Sequence, residues 1–172
     1  MRLYALAFLA TVAGGCVRVD AKVTGITADA GTTSFPGAGA AGGSEMSVSN
    51  SFVLDNSNVS SLENDLKSAS VQSVKLTPAS GVTTLDFFRQ LDIAIHVDGA
   101  PDLTLISAGA DQLVPAADGT LTLPVNVGFD PATYLTKSVN VDATIDMMAP
   151  ADDWSLGISL TLTVDGGTTL KI

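Results

Sequence analysis

The sequence predicts an all-β fold: an antiparallel, immunoglobulin-like β-sandwich of seven or eight strands with one or two short helices. Large apolar residues alternate with Ser, Thr, Gly or Asp over several runs, which is the period-two pattern of a strand with one buried face. Clusters of Gly, Pro and Asp separate these runs at similar intervals. The chain has 172 residues, which suffices for one domain with one core.

The clearest predicted strand covers residues 154–164, where every second residue is large and apolar. This phase places Trp154 in the core rather than at an exposed end of the sandwich. Pro124 falls on the outward phase of another run, which predicts an edge strand or a bulge because proline donates no ladder hydrogen bond. Further strands are predicted at residues 46–54, 74–76, 91–98, 103–105, 121–127 and 139–147.

Two short helices are predicted between the strands. Ser60 and Glu63 have the spacing of a capping box, and Leu62, Leu66 and Ala69 would then share one helical face. In the second segment, residues 130–135, an aspartate precedes a proline, which are favoured residues for the N-cap and the first helical position. Residues 85–90 can add a further turn, with Phe87 or Phe88 in the core.

The first sixteen residues have the proportions of an export signal. Arg2 precedes an uncharged apolar stretch at 3–13, and small residues then lead to Cys16, the only cysteine of the chain. The stretch is shorter than the about 20 apolar residues of a membrane-spanning helix. The alternative is an ordinary secreted protein with a free, buried thiol.

This pattern resembles the signal of bacterial lipoproteins, in which small residues precede an invariant cysteine that receives a lipid. The resemblance implies that residues 1–15 are a signal peptide and that Cys16 is the lipid attachment site. The residue after the cysteine is Val17 rather than Asp, which in the best-known sorting rule favours the outer membrane. We therefore expect an exported lipoprotein, in the outer membrane, on its periplasmic or surface face.

Residues 16–45 are predicted to form a lipid-anchored N-terminal segment, and residues 46–172 to form the β-sandwich domain. The segment contains an edge-strand candidate at 22–27 and a Gly-rich run at 31–43. The Gly-rich run is either part of a flexible spacer between lipid and domain or, if 22–27 pairs as a strand, a long surface loop. We favour the loop.

The composition excludes several classes of partner. Eighteen acidic and eight basic residues give a net charge of −10, which disfavours nucleic acid because phosphate binding needs a basic face. Aromatic residues make up 5%, too few for base-stacking platforms or for the girdles of a membrane barrel. The acidic surface should also repel anionic lipid headgroups, so an anchored domain should stand off the bilayer.

The sequence predicts no catalytic residue, no metal site and no cofactor. His96 lies on the outward phase of its strand, where Asp92 and Asp98 can flank it, but no nucleophile motif accompanies it. The dinucleotide-type spacing of Gly37, Gly39 and Gly42 precedes a strand-like run instead of a helix, which indicates a linker. Calcium candidates are confined to three pairs of turn acids without EF-hand spacing, Asp98 with Asp102, Asp111 with Asp118, and Asp152 with Asp153.

The mature region loosely resembles small uncharacterised bacterial lipoproteins, through its Gly-rich stretch, the run LDIAIHVDG and the C-terminal alternation of Leu and Thr. The resemblance implies a β-sandwich lipoprotein without an assigned activity. Our leading hypothesis is a lipid-anchored, non-catalytic envelope protein with a structural, adhesive or protein-interaction role. It would contact the membrane through its lipid and would bind an envelope protein or a glycan. The alternatives are a small-ligand or calcium-binding module and, third, a hydrolase.

Overall fold

The computed structural model describes residues 16–54, 66–134 and 139–171, with side chains for residues 22–54, 66–134 and 139–166. This part of the chain contains eight strands, one four-residue helix and one 3₁₀ turn. The strands are β1 (Cys16–Phe35), β2 (Glu45–Val53), β3 (Leu66–Ser80), β4 (Phe88–His96), β5 (Leu103–Gly109), β6 (Leu121–Phe129), β7 (Asn140–Met148) and β8 (Trp154–Lys171). The helix α1 is Pro131–Tyr134, and the 3₁₀ turn is Gly39–Ala41.

The strands form two antiparallel four-stranded sheets, in the orders β1-β8-β3-β6 and β2-β7-β4-β5. The predicted antiparallel β-sandwich is confirmed. Its connections cross between the sheets everywhere except at the β4–β5 hairpin, so the eight strands make a double-sheet jelly roll. This strand order differs from the predicted immunoglobulin-like arrangement. The sequence could not show the difference, because alternation identifies strands but does not specify which of them become neighbours.

The core lies between the sheets and is built from the inward-facing residues that the alternation predicts. Trp154 is buried, as its phase indicated, and starts a row of inward side chains along β8. The outward positions of the same strand are Ser, Gly and Thr. Facing rows come from β7 and β4, and members of these three rows are Leu156, Ile158, Leu160, Leu162, Val164, Val141, Ala143, Ile145, Met147, Leu91, Ile93 and Ile95.

The predicted helix around residues 60–69 is wrong in its second half. Leu66 and Ala69 belong to β3, which pairs with β8 on one side and β6 on the other. Ala69, Val71 and Val74 are buried there, so pairing within the sheet overrides the helical spacing. Ser60, Leu62 and Glu63 lie outside the described residues.

The proline and helix predictions for the following segments are confirmed. Pro124 lies on β6, an edge strand that pairs only with β3, and the register of that pair shifts between Val71 and Ser73. Asp130 caps α1, because its carboxylate accepts hydrogen bonds from the backbone N–H of Ala132 at 3.1 Å and the hydroxyl of Thr133 at 2.7 Å.

The turn expected at residues 85–90 is shorter than predicted. The backbone N–H of Phe88 donates to the carbonyl of Leu85 at 3.3 Å, which closes a single turn. Phe88 already begins β4 and is buried, and Phe87 is half-buried.

The N-terminal segment is more ordered than the sequence predicts. β1 pairs with β8 along its whole length, from Cys16 opposite Lys171 to Phe35 opposite Trp154. The Gly-rich run is therefore no long flexible loop: its first five residues complete β1, and only residues 36–44 connect β1 to β2. Backbone hydrogen bonds of 2.8–2.9 Å tie this connection to residues 149–151.

The strand register defines two ends of the sandwich, which we call the Trp154 end and the Cys16 end after one residue at each. The Trp154 end carries the connections at residues 36–44, 81–87, 110–120 and 149–153, and the Cys16 end carries the 97–102 turn and the helix α1. The first five register pairs of β1 and β8 extend beyond the first residue of β3 as a two-stranded ribbon at the Cys16 end. At about 3.3 Å per residue, the 20 residues of β1 span at most roughly 60 Å between Cys16 and Phe35.

Candidate functional site

Cys16, the predicted lipid attachment site, is the first residue of β1. No flexible spacer follows it, because the next residues already pair with β8. A group attached at this position would therefore lie next to the two-stranded ribbon, at the end of the sandwich opposite Trp154.

An aromatic cluster closes the Trp154 end. The ring of Trp154 stacks on Phe35, with centroids 4.4 Å apart and planes 17° from parallel. Phe87 and Phe88 meet the same indole edge-on, with centroids at 5.3 and 6.0 Å. Such pairs contribute beyond the area they bury, about 0.5–1.5 kcal/mol each. The indole nitrogen Nε1 is buried and has no hydrogen-bond partner among the described residues.

A shallow depression of about 440 Å³ lies beside this cluster. Its wall includes the half-buried ring of Phe87, and the backbone at Gly81 packs directly against that of Asp153 and Trp154. Thr83, Thr84 and Asp86 supply polar groups at its rim. The lining residues are Gly81, Val82, Thr83, Thr84, Asp86, Phe87, Met148, Ala149 and Pro150. The depression combines an apolar wall with polar groups, but it is shallower than the enclosed pockets that bury most of a small ligand.

Gly37 and Asp153 connect two of the loops at this end. The backbone N–H of Gly37 donates to the Asp153 carboxylate at 2.8 Å. A Cβ at Gly37 would lie 2.5 Å from the carbonyl oxygens of both Ala151 and Asp152, so the glycine permits close packing of the two loops. The Gly37, Gly39 and Gly42 pattern leads into β2 rather than into a helix. Gly37 and Gly42 pack closely against residues 151–152, whereas Gly39 has a positive φ of 56° and open space beside it.

His96 lies at the Cys16 end, on the outward face of β4, as predicted. Its Nδ1 is 2.7 Å from a carboxylate oxygen of Asp102, and its Nε2 is 3.6 Å from Asp98. The carboxylate that binds it is Asp102, not Asp92, because the β4–β5 turn folds residue 102 back over the ring. The hydrogen bond to Asp102 raises the pKa of His96 above 6.5, with smaller electrostatic contributions from Asp102, Asp142 and Asp98 that desolvation opposes.

This cluster is exposed and does not form a pocket. The side chain of His96 retains 41% of its accessible surface, Asp102 66% and Asp98 all of it. A base in general acid–base catalysis needs a converging nucleophile or substrate position. The nearby Tyr134 hydroxyl instead donates to the carbonyl of Pro101 at 2.7 Å, which fixes the turn. The hydrogen bond between His96 and Asp102 ties the 97–102 turn to β4.

The other aspartate pairs are not brought together as cation ligands. Asp118 accepts hydrogen bonds from the N–H and the hydroxyl of Thr120 at 3.1 and 2.8 Å, and these lower its pKa. Asp153 binds Gly37, as described above. Within the side chains that the structure describes, no three His, Cys, Asp or Glu residues are placed to share a metal ion.

The sequence contained no signal for the depression, since two separate connections and the end of β7 build it. A period-two pattern locates Trp154 in the core, but it does not reveal that Phe87 covers the indole from a different connection.

No helix in the described ranges is long and apolar enough to cross a bilayer.

Comparisons with known proteins give a distant structural likeness. No protein-family model matches the chain, and no curated protein matches it. Among solved structures, the chain is similar to the CBM32-5 module of Clostridium perfringens, which was solved in complex with GalNAc-β-1,3-galactose. The identity is 12% and the TM-score is 0.37, and the match covers 74% of this chain and 92% of that one. It is also similar to the decameric BFDV capsid protein, at 13% identity and a TM-score of 0.36, covering 96% and 99% of the two chains.

A third likeness is to a structure of the Gx strain of infectious bursal disease virus, at 15% identity and a TM-score of 0.32, covering 88% of this chain and 32% of that one. At these identities and TM-scores, the likenesses assign neither a family nor a ligand to this chain.

Proposed function

We propose that the chain is an exported lipoprotein of the cell envelope, anchored through Cys16, that acts by non-catalytic binding in a structural or adhesive role. The membrane would be the outer membrane, and the partner an envelope protein or a glycan. The proposal rests chiefly on one observation: β1 connects Cys16, at one end of the sandwich, to Phe35 at the other, whose ring stacks on Trp154.

The geometry of β1 supports a presenting role. A lipid on Cys16 would hold the Cys16 end toward the bilayer, and β1, which spans at most roughly 60 Å, would place the Trp154 end away from it. The depression beside Phe87 and the loops around it would then face outward. The acidic surface also favours separation of the domain from anionic headgroups.

The first experiment tests the anchor. Cells that express the wild-type chain or Cys16→Ser are labelled with radioactive palmitate, and their membrane and soluble fractions are separated. We expect label and membrane localisation for the wild type and neither for Cys16→Ser. Equal labelling of the two chains, or a wild-type chain that stays soluble, would overturn the anchoring proposal.

The second experiment tests the binding end. Wild-type protein is cosedimented with isolated envelope glycan and cross-linked to envelope proteins in cells, beside Thr83→Arg and Thr104→Arg. Thr83 lines the depression, whereas Thr104 is an exposed position on β5 of the same chemistry. Loss of binding in Thr83→Arg alone is expected. Equal binding by both variants would exclude the depression as the contact surface.

A further inference from the structure

β2 is the most regular of the four sheet edges. Edge strands usually carry a proline, a bulge or a charge that prevents pairing with another chain. Three edges have such interruptions: β1 has two register shifts, β6 contains Pro124, and the pairing of β5 with β4 shifts between Ile93 and Ala94. β2 pairs with β7 over nine consecutive residues without a shift, it contains no Gly or Pro, and its only charged residue is Glu45 at its first position.

The backbone of β2 presents hydrogen-bonding groups at its free side. The N–H of Leu54 donates to Val139 at 2.9 Å, and the carbonyl of Ser44 accepts from Ala149 at 2.8 Å. Since both residues are even-numbered, the even-numbered residues bond to β7 and the odd-numbered ones point away from it. These odd-numbered residues are Glu45, Ser47, Ser49, Ser51 and Val53.

Asn50 satisfies one of these outward groups. Its side-chain oxygen accepts from the N–H of Ser51 at 2.8 Å, and its amide nitrogen donates to Thr33 of β1 at 3.0 Å. This bond is local and would be exchanged for an inter-strand bond if a second strand arrived. The remaining outward N–H groups belong to small or β-branched residues and to Glu45.

We infer that β2 pairs antiparallel with β2 of a second copy, about a two-fold axis at Ser49. In this register Ser49 lies opposite Ser49, Ser47 opposite Ser51, and Glu45 opposite Val53. The strand is self-complementary, as an isologous interface requires, because its only charge never meets itself. The side chain of Val53, 69% exposed in the single chain, would be covered by the partner's Glu45 side chain. The β2-β7-β4-β5 sheets of the two copies would join into one eight-stranded sheet.

The pairing has a consequence for anchored molecules, which rests on the proposed function. β2 runs from the Trp154 end to the Cys16 end, so antiparallel pairing turns the second copy upside down. Two upright copies on one membrane cannot adopt this arrangement. Copies on two facing membranes can, and β2 would then connect the membranes in a homotypic adhesive contact.

The interface is tested by disulfide trapping of the detergent-extracted protein. In the two-fold register, the two copies of residue 49 have Cα atoms about 5.5 Å apart, which is within disulfide reach. We expect Ser49→Cys to form a covalent dimer at least about ten-fold faster than Ser107→Cys, because Ser107 is an exposed serine on β5, the other edge of the same sheet. The wild type controls for any cross-link through Cys16. Equal rates for both variants would overturn the inference.

A second pair of variants tests the pairing without a cysteine. Ser49→Lys places two ammonium groups face to face across the axis, whereas Ser107→Lys changes the other edge. We expect sedimentation to show dimers for wild type and Ser107→Lys and monomers for Ser49→Lys. Thermal unfolding of the Ser49→Lys monomer should change only slightly, because the substitution removes only the exposed hydrogen bond between the Ser49 and Thr144 hydroxyls. Monomers for all three chains at high concentration would contradict self-pairing.

Vesicles that carry the wild-type lipoprotein test the adhesive arrangement. We expect them to cluster, as measured by light scattering, and vesicles with Ser49→Lys to remain dispersed. If Ser49→Cys cross-links in detergent but wild-type vesicles do not cluster, β2 self-pairing stands and the facing-membrane arrangement is wrong. A chain that lacks lipid fails to attach to vesicles at all, which separates failure of the anchor from failure of the interface.

Discussion

Phe35 and Trp154 face each other in the last register pair of β1 and β8, and their rings stack at 4.4 Å. The contact joins the end of the first strand to the start of the last one. Phe87 meets the same indole from the 81–87 connection and Phe88 meets it from the start of β4, so three phenylalanine rings pack around this one side chain. The stack also defines the end of the sandwich that lies opposite Cys16.

Substitution of Trp154 should show how much of the stability lies in ring packing. Trp154→Ala should lower the free energy of unfolding by about 3–5 kcal/mol, because it leaves a large cavity in the core. Trp154→Phe should cost markedly less. It keeps an aromatic ring against Phe35 and removes a buried N–H that has no partner among the described residues.

Urea unfolding of the two variants measures this difference. Val114→Ala provides the control, since Val114 is 72% exposed and its loss should change the free energy by no more than about 0.5 kcal/mol. Equal destabilisation by Trp154→Phe and Trp154→Ala would mean that the indole N–H makes a stabilising hydrogen bond, contrary to this structure.

Gly81 should tolerate no side chain, whereas Gly99 should tolerate one at moderate cost. Both have a positive φ, 75° and 80°, so an alanine at either position pays roughly 1–2 kcal/mol for its backbone conformation. At Gly81 the added Cβ would also overlap the carbonyl oxygen of Asp153, but at Gly99 it would meet nothing within 4 Å.

The expected order of thermal stability is therefore wild type, Gly99→Ala and then Gly81→Ala, measured by circular dichroism. The gap between the two variants should be about 1–3 kcal/mol, the usual cost of overpacking. A Gly81→Ala chain as stable as Gly99→Ala would show that the 81–87 connection does not pack against Asp153.

His96 should titrate above its ordinary pKa of 6.5, and Asp102→Asn should move its pKa down. Folding favours the protonated ring, so this group stabilises the fold fully below pH 6.5 and loses that contribution as the pH rises through the folded-state pKa. NMR titration of the single histidine gives its pKa directly. Asp92→Asn is the matched control, and an equal shift in both variants would argue against the Asp102 hydrogen bond.

Asp130→Ala should destabilise the chain by about 0.5–2 kcal/mol, because α1 loses the cap at its first turn. Asp152→Ala, at an exposed loop carboxylate, should change the free energy of unfolding by less than about 0.5 kcal/mol. Chemical denaturation compares the two. If Asp130→Ala has no effect, the bonds to Ala132 and Thr133 do not stabilise the folded state.

Much of the fold follows from local alternation. The inward phases of β4, β7 and β8 are correct because each strand buries one face, and Pro124 correctly marks an edge because it cannot donate to a neighbouring strand. The helix expected through Leu66 and Ala69 was wrong because spacing alone does not register the strands on either side of β3. The extension of β1 to Phe35 was missed because the Gly-rich composition of residues 31–43 favoured a loop, although Thr32, Thr33 and Phe35 are residue types that favour strands.

The sites depend still more on long-range contacts. The outward phase of His96 was correct, but its partner is Asp102 because a turn returns to the ring, and sequence separation does not show this. The depression at Phe87 requires two connections, at residues 81–87 and 149–153, to meet at the end of β7. The regularity of β2 becomes visible only beside the interrupted edges of β1, β5 and β6.

The proposed orientation of the sandwich depends on a lipid at Cys16. Intact mass spectrometry of the protein purified from its native membranes tests for this lipid most directly. We expect the mass of residues 16–172 with a diacylglyceryl group and an N-terminal acyl group attached, and fragmentation should locate both groups on Cys16. A chain that retains residues 1–15, or a Cys16 with an unmodified thiol, would contradict it.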